Sequence, residues 1–439
     1  MKLYPHQIAA LQATKDKNHV AYYHDMGLGK TFTGSEKMMQ LGAKVNLIIC
    51  QKSKVDDWVE HFEKHYPAFK VYDLISKNGL KPFCEFVSLG LDHVVGIINY
   101  ELAWRRPELL KLEHFTLMLD ESSLIQNENS KRSKFISKLQ PKNVILLSGT
   151  PTGGKYEKLW SQLHLLGWPI SKKLYWKQYV DTEVIDNEGY PITVVRGYKN
   201  VDRLKRKMRQ YGCNFLKTEE VLDLPEQIEQ TIRISTTKEY RKFRKDLIVS
   251  VKIPGWNKPF PHADNAVEIA CAKELVGDTT LTKMLYERQL CGQYNADKLQ
   301  VFKDLVGSTN DRLIVFYNFN TELDALKHIC FNQNRAVSIV NGQIKDLYSY
   351  DTKDDSVTFI QYQAGAMGLN LQKANKIIYF TPPLSSELFE QSKKRIHRIG
   401  QQKTCFYFYL TCVNSIEEKI YRNLALRRDY TEALFEQED

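Results

Sequence analysis

The chain is long enough for more than one domain, because its 439 residues exceed the roughly 250 to 300 residues at which single cores usually stop growing. Its composition, 43% hydrophobic and 26% charged, is typical of a globular protein. The formal net charge of +10 favours a polyanionic partner without identifying one. Export and membrane insertion are not supported, because there is no signal peptide and no apolar run approaches ~18 residues.

Short apolar strands alternate with helical segments in two blocks. We predict strands at residues 20–23, 46–50, 94–98, 116–119 and 144–147, and again at 313–317, 336–340, 357–360, 376–380 and 406–411. Such alternation is typical of parallel sheets covered by helices on both faces. The sequence therefore predicts an α/β fold with two parallel-sheet domains, at residues 1–225 and 226–439.

Between the two blocks the pattern changes. A hairpin is predicted around residues 186–189, followed by long charged helices. We therefore expect mostly helical insertions, at about residues 168–224 in the first domain and 236–300 in the second. The eight cysteines contain no CxxC pair and no zinc-like cluster, which is typical of the reduced thiols of an intracellular protein.

A glycine-rich segment follows the first predicted strand and precedes a helical stretch. It reads Gly27-Leu28-Gly29-Lys30-Thr31. Glycines let backbone amides approach phosphate oxygens, the helix N-terminus adds its positive dipole end, the lysine reaches the outer phosphates and the threonine can hold Mg²⁺. The segment predicts a phosphate-binding loop, and the alternative is a chance glycine turn.

An acidic pair, Asp120-Glu121, directly follows the predicted strand at 116–119. Open α/β sheets bind ligands at the carboxyl ends of their strands. Asp120 could therefore orient the shell of a bound Mg²⁺, and Glu121 could polarise an attacking water. A surface Asp-Glu pair at a strand end is the alternative, but it leaves unexplained why the pair follows a phosphate-binding loop.

Two arginines of the second block, Arg395 and Arg398, lie three residues apart. On a helix they would share one face, and their fixed charge suits a transferring phosphoryl group. Alone, the segment is more typical of a solvated basic helix face. Together with a phosphate-binding loop in the other block, the arginines become candidates that complete the site when the domains close.

The order of these segments resembles the Swi/Snf-type ATPases of helicase superfamily 2, from Leu3 to about Tyr421. The resemblance implies two RecA-like domains of the P-loop NTPase fold, with ATP and Mg²⁺ as cofactors. It also implies that Gln7 contacts the adenine base and that Gly368 belongs to the nucleotide site. The matching segments are 3–7 (Q motif), 24–31 (P-loop), 99–102 (motif Ib), 147–151 with 159–160 (motif III), 315–320 (motif IV), 365–371 (motif V) and 397–401 (motif VI).

Two residues depart from the family pattern near the phosphates. The usual DEAH or DEGH segment reads Asp120-Glu121-Ser122-Ser123, so a hydroxyl replaces the histidine that normally couples the nucleotide site to motif III. His24 stands where the family usually has an acidic residue and where the full GxxxxGK[ST] pattern has its first glycine. We therefore expect the coupling between these segments to be wired differently.

The resemblance also implies that one nucleic-acid strand crosses both domains. Small polar side chains and helix N-termini would bind its phosphates without reading bases. A basic cluster at 203–209 could extend this track, and a solvated helix face is the alternative for that cluster. The predicted contact residues are Lys52, Ser53, Asn99, Asn318, Thr321 and Gln363, together with Lys205, Arg206 and Lys207 of the basic cluster.

These observations predict a DNA-dependent ATPase that translocates on DNA and remodels or unwinds branched or duplex structures in replication, recombination or repair. Residues 197–200, followed by a basic helix and Leu216-Lys217, resemble the annealing-helicase branch. The chain carries essentially no flanking domains, from which we expect a minimal monomeric enzyme of phage or bacterial type, acting in the cytoplasm or nucleoid. An RNA helicase is the alternative enzyme. A catalytically silent binding scaffold is the second alternative, against which the intact Lys30, Asp120, Glu121, Arg395 and Arg398 argue.

Overall fold

The computed structural model describes residues 3–90, 93–187, 190–252, 272–365 and 369–435. The chain divides into two compact units, the first formed by residues 1–222 with 427–439 and the second by residues 223–426. Each unit is built around its own seven-stranded sheet. The predicted α/β fold with two parallel-sheet domains is therefore confirmed. The domain boundary predicted at residue 225 lies close to the division between the units.

Unit 1 contains a sheet with the strand order β3-β4-β2-β5-β6-β1-β9, in which all neighbours are parallel. Its strands β1 to β9 are His19–His24, Val45–Cys50, Lys70–Asp73, Val94–Asn99, Thr116–Asp120, Asn143–Leu147, Val180–Asn187, Tyr190–Tyr198 and Cys213–Leu216. Its helices α1 to α9 are Pro5–Ala13, Lys30–Leu41, Val55–His65, Lys77–Ser88, Tyr100–Ala103, Lys131–Ile136, Trp160–Leu165, Lys172–Tyr179 and Val201–Gln210.

Unit 2 has the strand order β10-β18-β17-β13-β16-β14-β15, parallel except for the last pair. Strands β10 to β18 are Gln227–Ile234, Ile248–Lys252, Ala272–Val276, Leu313–Tyr317, Val337–Val340, Lys345–Asp346, Val357–Gln361, Lys376–Tyr379 and Cys405–Cys412. The helices that begin in this unit, α10 to α17, are Lys238–Asp246, Thr280–Cys291, Ala296–Gly307, Asn320–Asn332, Tyr348–Thr352, Tyr362–Gly365, Ser386–Lys393 and Ile416–Phe435.

The sheet of unit 1 is buried on both faces. Along β2, Leu47 and Ile49 pack into one apolar cluster, while Ile48 and Cys50 pack into another. Successive side chains of a strand point to opposite faces, so these two clusters are the two faces of the sheet. Apolar residues at every position of a strand are expected when helices cover both faces, which explains why the central strands could be predicted.

All ten predicted strands are present, and each predicted end lies within one residue of the observed one. The four edge strands of the two large sheets were not predicted; they are β3, β9, β10 and β15. Most residues of β10 are exposed, because an edge strand has a neighbour on one side only. The predicted insertion at 168–224 also contains β9, which pairs with β1 as part of the sheet.

The predicted insertions are partly helical. The predicted hairpin is present as the antiparallel pair β7–β8, whose residues 188 and 189 lie outside the described part of the chain. The second insertion contains α10, α11 and the start of α12, and in addition the antiparallel pair β11–β12. Among the described residues, no helix combines the length and the apolar character that a bilayer span requires.

Candidate nucleotide and nucleic-acid sites

The predicted phosphate-binding loop connects β1 to α2. Lys30 is the first residue of α2, and Gly29 is its N-cap, with φ of 71°. Gly27 also has a positive φ, of 90°. Side chains disfavour this conformation, and a Cβ at Gly29 would lie only 2.5 Å from the Nε2 of Gln7. The two glycines are therefore required by the path of the backbone.

Helix α1 supports this loop through two side chains. The Nε2 of Gln7 donates to the carbonyl oxygen of Gly29 at 3.0 Å, and its Oε1 accepts from the backbone amide of Tyr4 at 2.8 Å. An imidazole nitrogen of His6 lies 3.0 Å from the carbonyl oxygen of Leu28. Gln7 is buried, so its visible role is to hold the loop, and the adenine contact stays a prediction.

Lys30 lies between the loop and the segment that follows β6. Its ammonium donates to the carbonyl oxygens of His24 at 2.8 Å and Asp25 at 3.1 Å. A Cβ at Gly149 would lie 3.4 Å from the Lys30 Nζ, so this segment passes close to the ammonium. Thr31, the next residue of α2, is half-buried.

The acidic pair lies at the carboxyl end of β5. Asp120 is the last residue of the strand, and Glu121 follows it in the left-handed conformation, with φ of 53°. Burial raises the pKa of Asp120, whereas a hydrogen bond from Trp58 and the positive charge of Lys30 oppose that rise. The Glu121 Oε2 accepts a hydrogen bond from the Ser148 hydroxyl at 3.3 Å.

Sheet topology brings these groups to one edge. Strand β6 lies between β5 and β1, so the acidic pair, the Ser148 segment and the phosphate-binding loop follow three adjacent parallel strands. The carboxyl ends of parallel strands are where α/β sheets bind ligands. The residues of unit 1 that are predicted to bind the nucleotide, from Gln7 to Glu121, therefore lie together at this edge of the sheet. Gly368, predicted from motif V, lies outside the described residues.

Trp58 of α3 is a site residue that the sequence interpretation missed. Its indole Nε1 donates to the Asp120 Oδ2 at 2.9 Å, and the side chain is buried. The available signal was positional, because α3 follows β2, and β2 is the direct neighbour of β5 in the sheet.

His24 anchors the start of the phosphate-binding loop to the edge of the sheet. An imidazole nitrogen lies 2.7 Å from the Asn214 Oδ1 of β9. Burial is the main reason that the pKa of His24 is lowered to about 3, so the ring is neutral near pH 7. The neighbouring Asp25 accepts two hydrogen bonds from Thr218, one from its amide and one from its hydroxyl, each 3.1 Å long.

The two arginines do not share a helical face, so this part of the prediction is wrong. Helix α16 ends at Lys393, and beyond its end the carbonyl oxygen of Arg395 accepts from the amide of Leu371. Arg395 is buried beside the carbonyl oxygen of Leu369. Arg398 is half-buried and donates to the Oδ1 of Asn370. Both arginines therefore contact motif V within unit 2.

The nucleic-acid residues predicted in unit 1 follow two neighbouring strands. Lys52 and Ser53 are exposed in a short 3-10 helix after β2. Asn99 ends the adjacent strand β4, where it pairs with Cys50. Its side chain is buried and donates to the Glu101 Oε2 at 3.1 Å. Lys52 and Ser53 are thus accessible to a phosphate, whereas Asn99 is held within the protein.

In unit 2, Thr321 and Gln363 are exposed, in α13 and α15 respectively. The Nδ2 of Asn318 instead lies 2.8 Å from the Thr381 Oγ1 and 3.0 Å from the carbonyl oxygen of Pro382. This amide joins the loops after β13 and β17, so its hydrogens are used within the unit. The predicted phosphate contact through Asn318 would require those bonds to break.

The basic cluster lies on α9, and one of its three predicted contact residues is buried. Lys205 is 5% exposed, because it falls on the same helical stripe as Leu204 and Met208, which face the core. Arg206 is exposed and Lys207 is half-buried. The prediction that Lys205 contacts a phosphate is therefore wrong for this conformation, and Arg206 and Lys207 keep the geometry that it requires.

A buried group in unit 2 has the composition of a metal site. Cys291, Cys412 and Glu417 place three possible ligand atoms within 4.8 Å of one another. However, the ammonium of Lys298 donates to both oxygens of Glu417, at 2.7 Å and 2.8 Å. A buried ammonium already neutralises the carboxylate, and a cation there would be repelled. We therefore interpret this group as a buried ion pair beside two thiols.

Comparisons with known proteins agree with this architecture. The SNF2-related domain matches residues 11–296, and the helicase conserved C-terminal domain matches residues 297–400. The fold and the site define the core of a superfamily 2 ATPase. Because the first match covers more than half of the chain, the protein belongs to the SNF2-related family, and the predicted resemblance is confirmed.

Similar proteins include several large ATPases. The ISWI chromatin-remodeling complex ATPase ISW1 of Saccharomyces cerevisiae is 24% identical over 450 residues, covering 95% of this chain and 39% of that protein. The DNA repair and recombination protein RAD54-like of Gallus gallus is 21% identical, covering 94% and 64%. The solved SWI2/SNF2 ATPase core of Sulfolobus solfataricus in complex with dsDNA has 19% identity and a TM-score of 0.43, covering 98% and 92%. The chain spans about two fifths of the length of the first relatives.

Proposed function

We propose that this protein hydrolyses ATP, with Mg²⁺ as cofactor, to move on DNA and to remodel or unwind branched or duplex structures in replication, recombination or repair. We further propose that it acts inside the cell as a monomer. The observation that supports this most directly is the single sheet edge of unit 1 that gathers Lys30, Asp120 and Glu121. Membership of the SNF2-related family supports DNA as the polymer.

The residues present fit a magnesium ion. Thr31 offers a hydroxyl and Asp120 a carboxylate, and oxygen ligands of this kind are those that Mg²⁺ prefers. The Asp120 carboxylate accepts hydrogen bonds from Trp58 and from the backbone of Glu121, and because a carboxylate has about four lone-pair sites, sites remain for a cation. When bound, the ion neutralises charge on the phosphates during transfer. The hydrogen bond from Trp58 favours the ionised carboxylate of Asp120, and the ionised carboxylate is the form that binds a cation.

The remaining groups act on the phosphates and on water. Backbone amides of residues 27–31 and the Lys30 ammonium bind the phosphate chain. Glu121, oriented by Ser148, positions the attacking water and accepts its proton. Arg395 and Arg398 are proposed to stabilise the transferred phosphoryl group, as fixed planar cations suit that task. Exposed Lys52, Ser53, Thr321 and Gln363 are proposed to bind DNA phosphates.

The first prediction tests this site. We expect Lys30→Ala and Glu121→Gln to abolish ATP turnover while the proteins stay folded and bind DNA, because both side chains act on phosphate chemistry at the sheet edge. Turnover is measured with single-stranded, duplex, forked and four-way DNA, and folding by circular dichroism. Exposed Lys142 and Glu113 provide the matched controls Lys142→Ala and Glu113→Gln, which should keep wild-type rates.

The same assay separates the alternatives. Stimulation of the wild-type rate by RNA but not by DNA would favour an RNA helicase. Nucleic-acid binding without any turnover would favour a silent scaffold. Near-normal turnover in Lys30→Ala or Glu121→Gln would contradict the site assignment.

A further inference from the structure

Gln162 of α7 is a fully buried residue. Its side-chain amide bonds to segments that lie beside the nucleotide site. Its Oε1 accepts from the Ser122 hydroxyl at 2.8 Å and from the Tyr23 hydroxyl at 3.0 Å. Its Nε2 donates to the carbonyl oxygen of Pro151 at 2.8 Å. A buried amide is stable only when such bonds are made. Gln162 therefore has one defined orientation.

The two ends of this amide join segments that both reach Glu121. Ser122 is the next residue in the chain. On the other side, Pro151 belongs to the segment after β6, in which the amide of Thr150 donates to the Ser148 hydroxyl at 3.2 Å. That hydroxyl in turn donates to the Glu121 Oε2. The backbone and the carboxylate of Glu121 are thus tied to the same buried amide by separate routes.

Glu121 needs such support because its backbone is strained. Its φ of 53° is a left-handed conformation that a residue with a side chain keeps only where the surroundings enforce it. The Tyr100 hydroxyl donates to the carbonyl oxygens of Asp120 and Glu121, at 2.9 Å and 3.4 Å. Gln162 fixes the residue on the other side, at Ser122.

We propose that Gln162 is a positioning residue for Glu121. It holds Ser122 against Pro151, and it thereby sets the direction in which the Glu121 carboxylate meets the attacking water. The proposal rests on the proposed ATPase function, of which it names a further determinant. The connection to the segment after β6 runs through Ser122, the residue before the position at which a serine replaces the family histidine.

The test compares three substitutions that each remove hydrogen bonds of this amide. Gln162→Leu preserves the approximate shape and removes all three bonds. Ser122→Ala removes only the bond beside Glu121. Tyr23→Phe is the matched control, because it removes a bond to the same Oε1 without breaking the connection between Ser122 and Pro151. DNA-stimulated kcat, KM for ATP, nucleotide Kd and thermal unfolding are measured for each variant.

We expect Gln162→Leu to lower kcat by roughly 10- to 100-fold, the scale of a displacement of about 1 Å in a catalytic group, with KM and nucleotide Kd unchanged. Ser122→Ala should lower kcat in the same sense. A variant that combines Gln162→Leu with Ser122→Ala should be no slower than the slower of the two single variants, since both substitutions break the same connection. Tyr23→Phe should lose thermal stability and keep its kcat.

A wild-type kcat in Ser122→Ala, or in a folded Gln162→Leu, would overturn the proposal, as would an equal loss of kcat in Tyr23→Phe. If Gln162→Leu does not fold, the Ser122→Ala result decides. A wild-type protein without DNA-stimulated turnover would overturn the proposed function and this inference with it. Wild-type turnover combined with an unaffected Ser122→Ala variant would leave the function intact and remove only the positioning role.

Discussion

Trp58 affects Asp120 through one hydrogen bond, and that bond bears on the charge of the carboxylate. Burial favours the neutral acid, whereas a donated N–H favours the ionised form. Because the indole opposes the burial effect on the pKa of Asp120, its removal should raise that pKa further. A carboxylate must be ionised to bind a cation. Without the indole, the negative charge of Asp120 therefore forms only at higher pH.

We therefore expect Trp58→Phe to require more Mg²⁺ for half-maximal ATPase activity and to shift the acidic limb of the pH–rate profile to higher pH. Activity present above the pKa of Asp120 is lost as pH falls through it, so a raised pKa moves that loss upward. Magnesium titrations at several pH values measure both effects. Trp176→Phe is the control, since the described residues include no hydrogen-bond acceptor for that indole. An unchanged magnesium requirement in Trp58→Phe would contradict this role.

Site residues that form a local sequence pattern could be predicted. Gln162 and Trp58, which reach the site only through the packing of the fold, could not. Lys30 and Thr31 follow two glycines, and Asp120 and Glu121 follow an apolar strand, so their patterns are local. Gln162 lies 40 positions after Ser122 in the chain. Its residue type gives no periodic or motif signal, and only the packing of α7 brings its amide to that hydroxyl.

At the scale of elements, helix α9 shows how a basic sequence divides between core and surface. Charged residues dominate the helix, but its burial follows the 3.6-residue period, so Leu204, Lys205 and Met208 face inward. The exposed charges form a narrower stripe than the sequence indicates. A positive stripe of this kind attracts phosphates without reading bases. We therefore expect the stripe to contribute to the affinity for DNA.

This division leads to a prediction on salt dependence. Replacing both Arg206 and Lys207 by Gln should weaken DNA binding and reduce the log–log salt slope by ~0.9 per lost duplex phosphate contact, or ~0.7 on single strands. Binding isotherms at several salt concentrations measure the slope. Lys205→Met on the same helix is the control and should leave the slope unchanged. If Lys205→Met changes the slope as much as the double variant, the assignment of the stripe is wrong.

Strands that are completely buried could be predicted from the sequence, whereas strands that are only partly buried could not. Central strands such as β2 and β4 are apolar at nearly every position and could be read directly. Edge strands such as β10 alternate polar and apolar residues, a pattern that the polar surface of a helix also produces over a short span. The end of α16 at Lys393 could not be predicted either, because no glycine or proline follows it within the next six residues.

At the scale of the whole molecule, the question is whether residues of the second unit act in the chemistry of the first. Arg395 lies 365 positions after Lys30 in the chain. Within unit 2, Arg395 and Arg398 contact the same short segment, at Leu369 and Asn370. Burial lowers the pKa of Arg398, yet a guanidinium stays charged near pH 7. Both arginines are therefore held as cations with a defined position.

We expect Arg395→Ala and Arg398→Ala each to reduce DNA-stimulated ATP turnover by roughly 10³- to 10⁵-fold if they act as full arginine fingers. Nucleotide affinity should fall much less, since the interaction strengthens in the transition state. Lysine should rescue poorly at either position, because an ammonium cannot reproduce the planar fork. ATPase rates beside nucleotide Kd values test this, and wild-type rates in both variants would exclude a catalytic role.

The place of β1 in its sheet has a consequence for the synthesis of the protein. This strand ends in the phosphate-binding loop, yet its two neighbours are β6 and β9. At roughly 5 to 20 residues per second, the about 190 residues between β1 and β9 take some 10 to 40 s to be made. Until then β1 lacks a partner on one side, and the His24 contact with Asn214 of β9 cannot form. A nascent chain should therefore complete the sheet edge that carries the nucleotide residues of unit 1 only after residue 216 has left the ribosome.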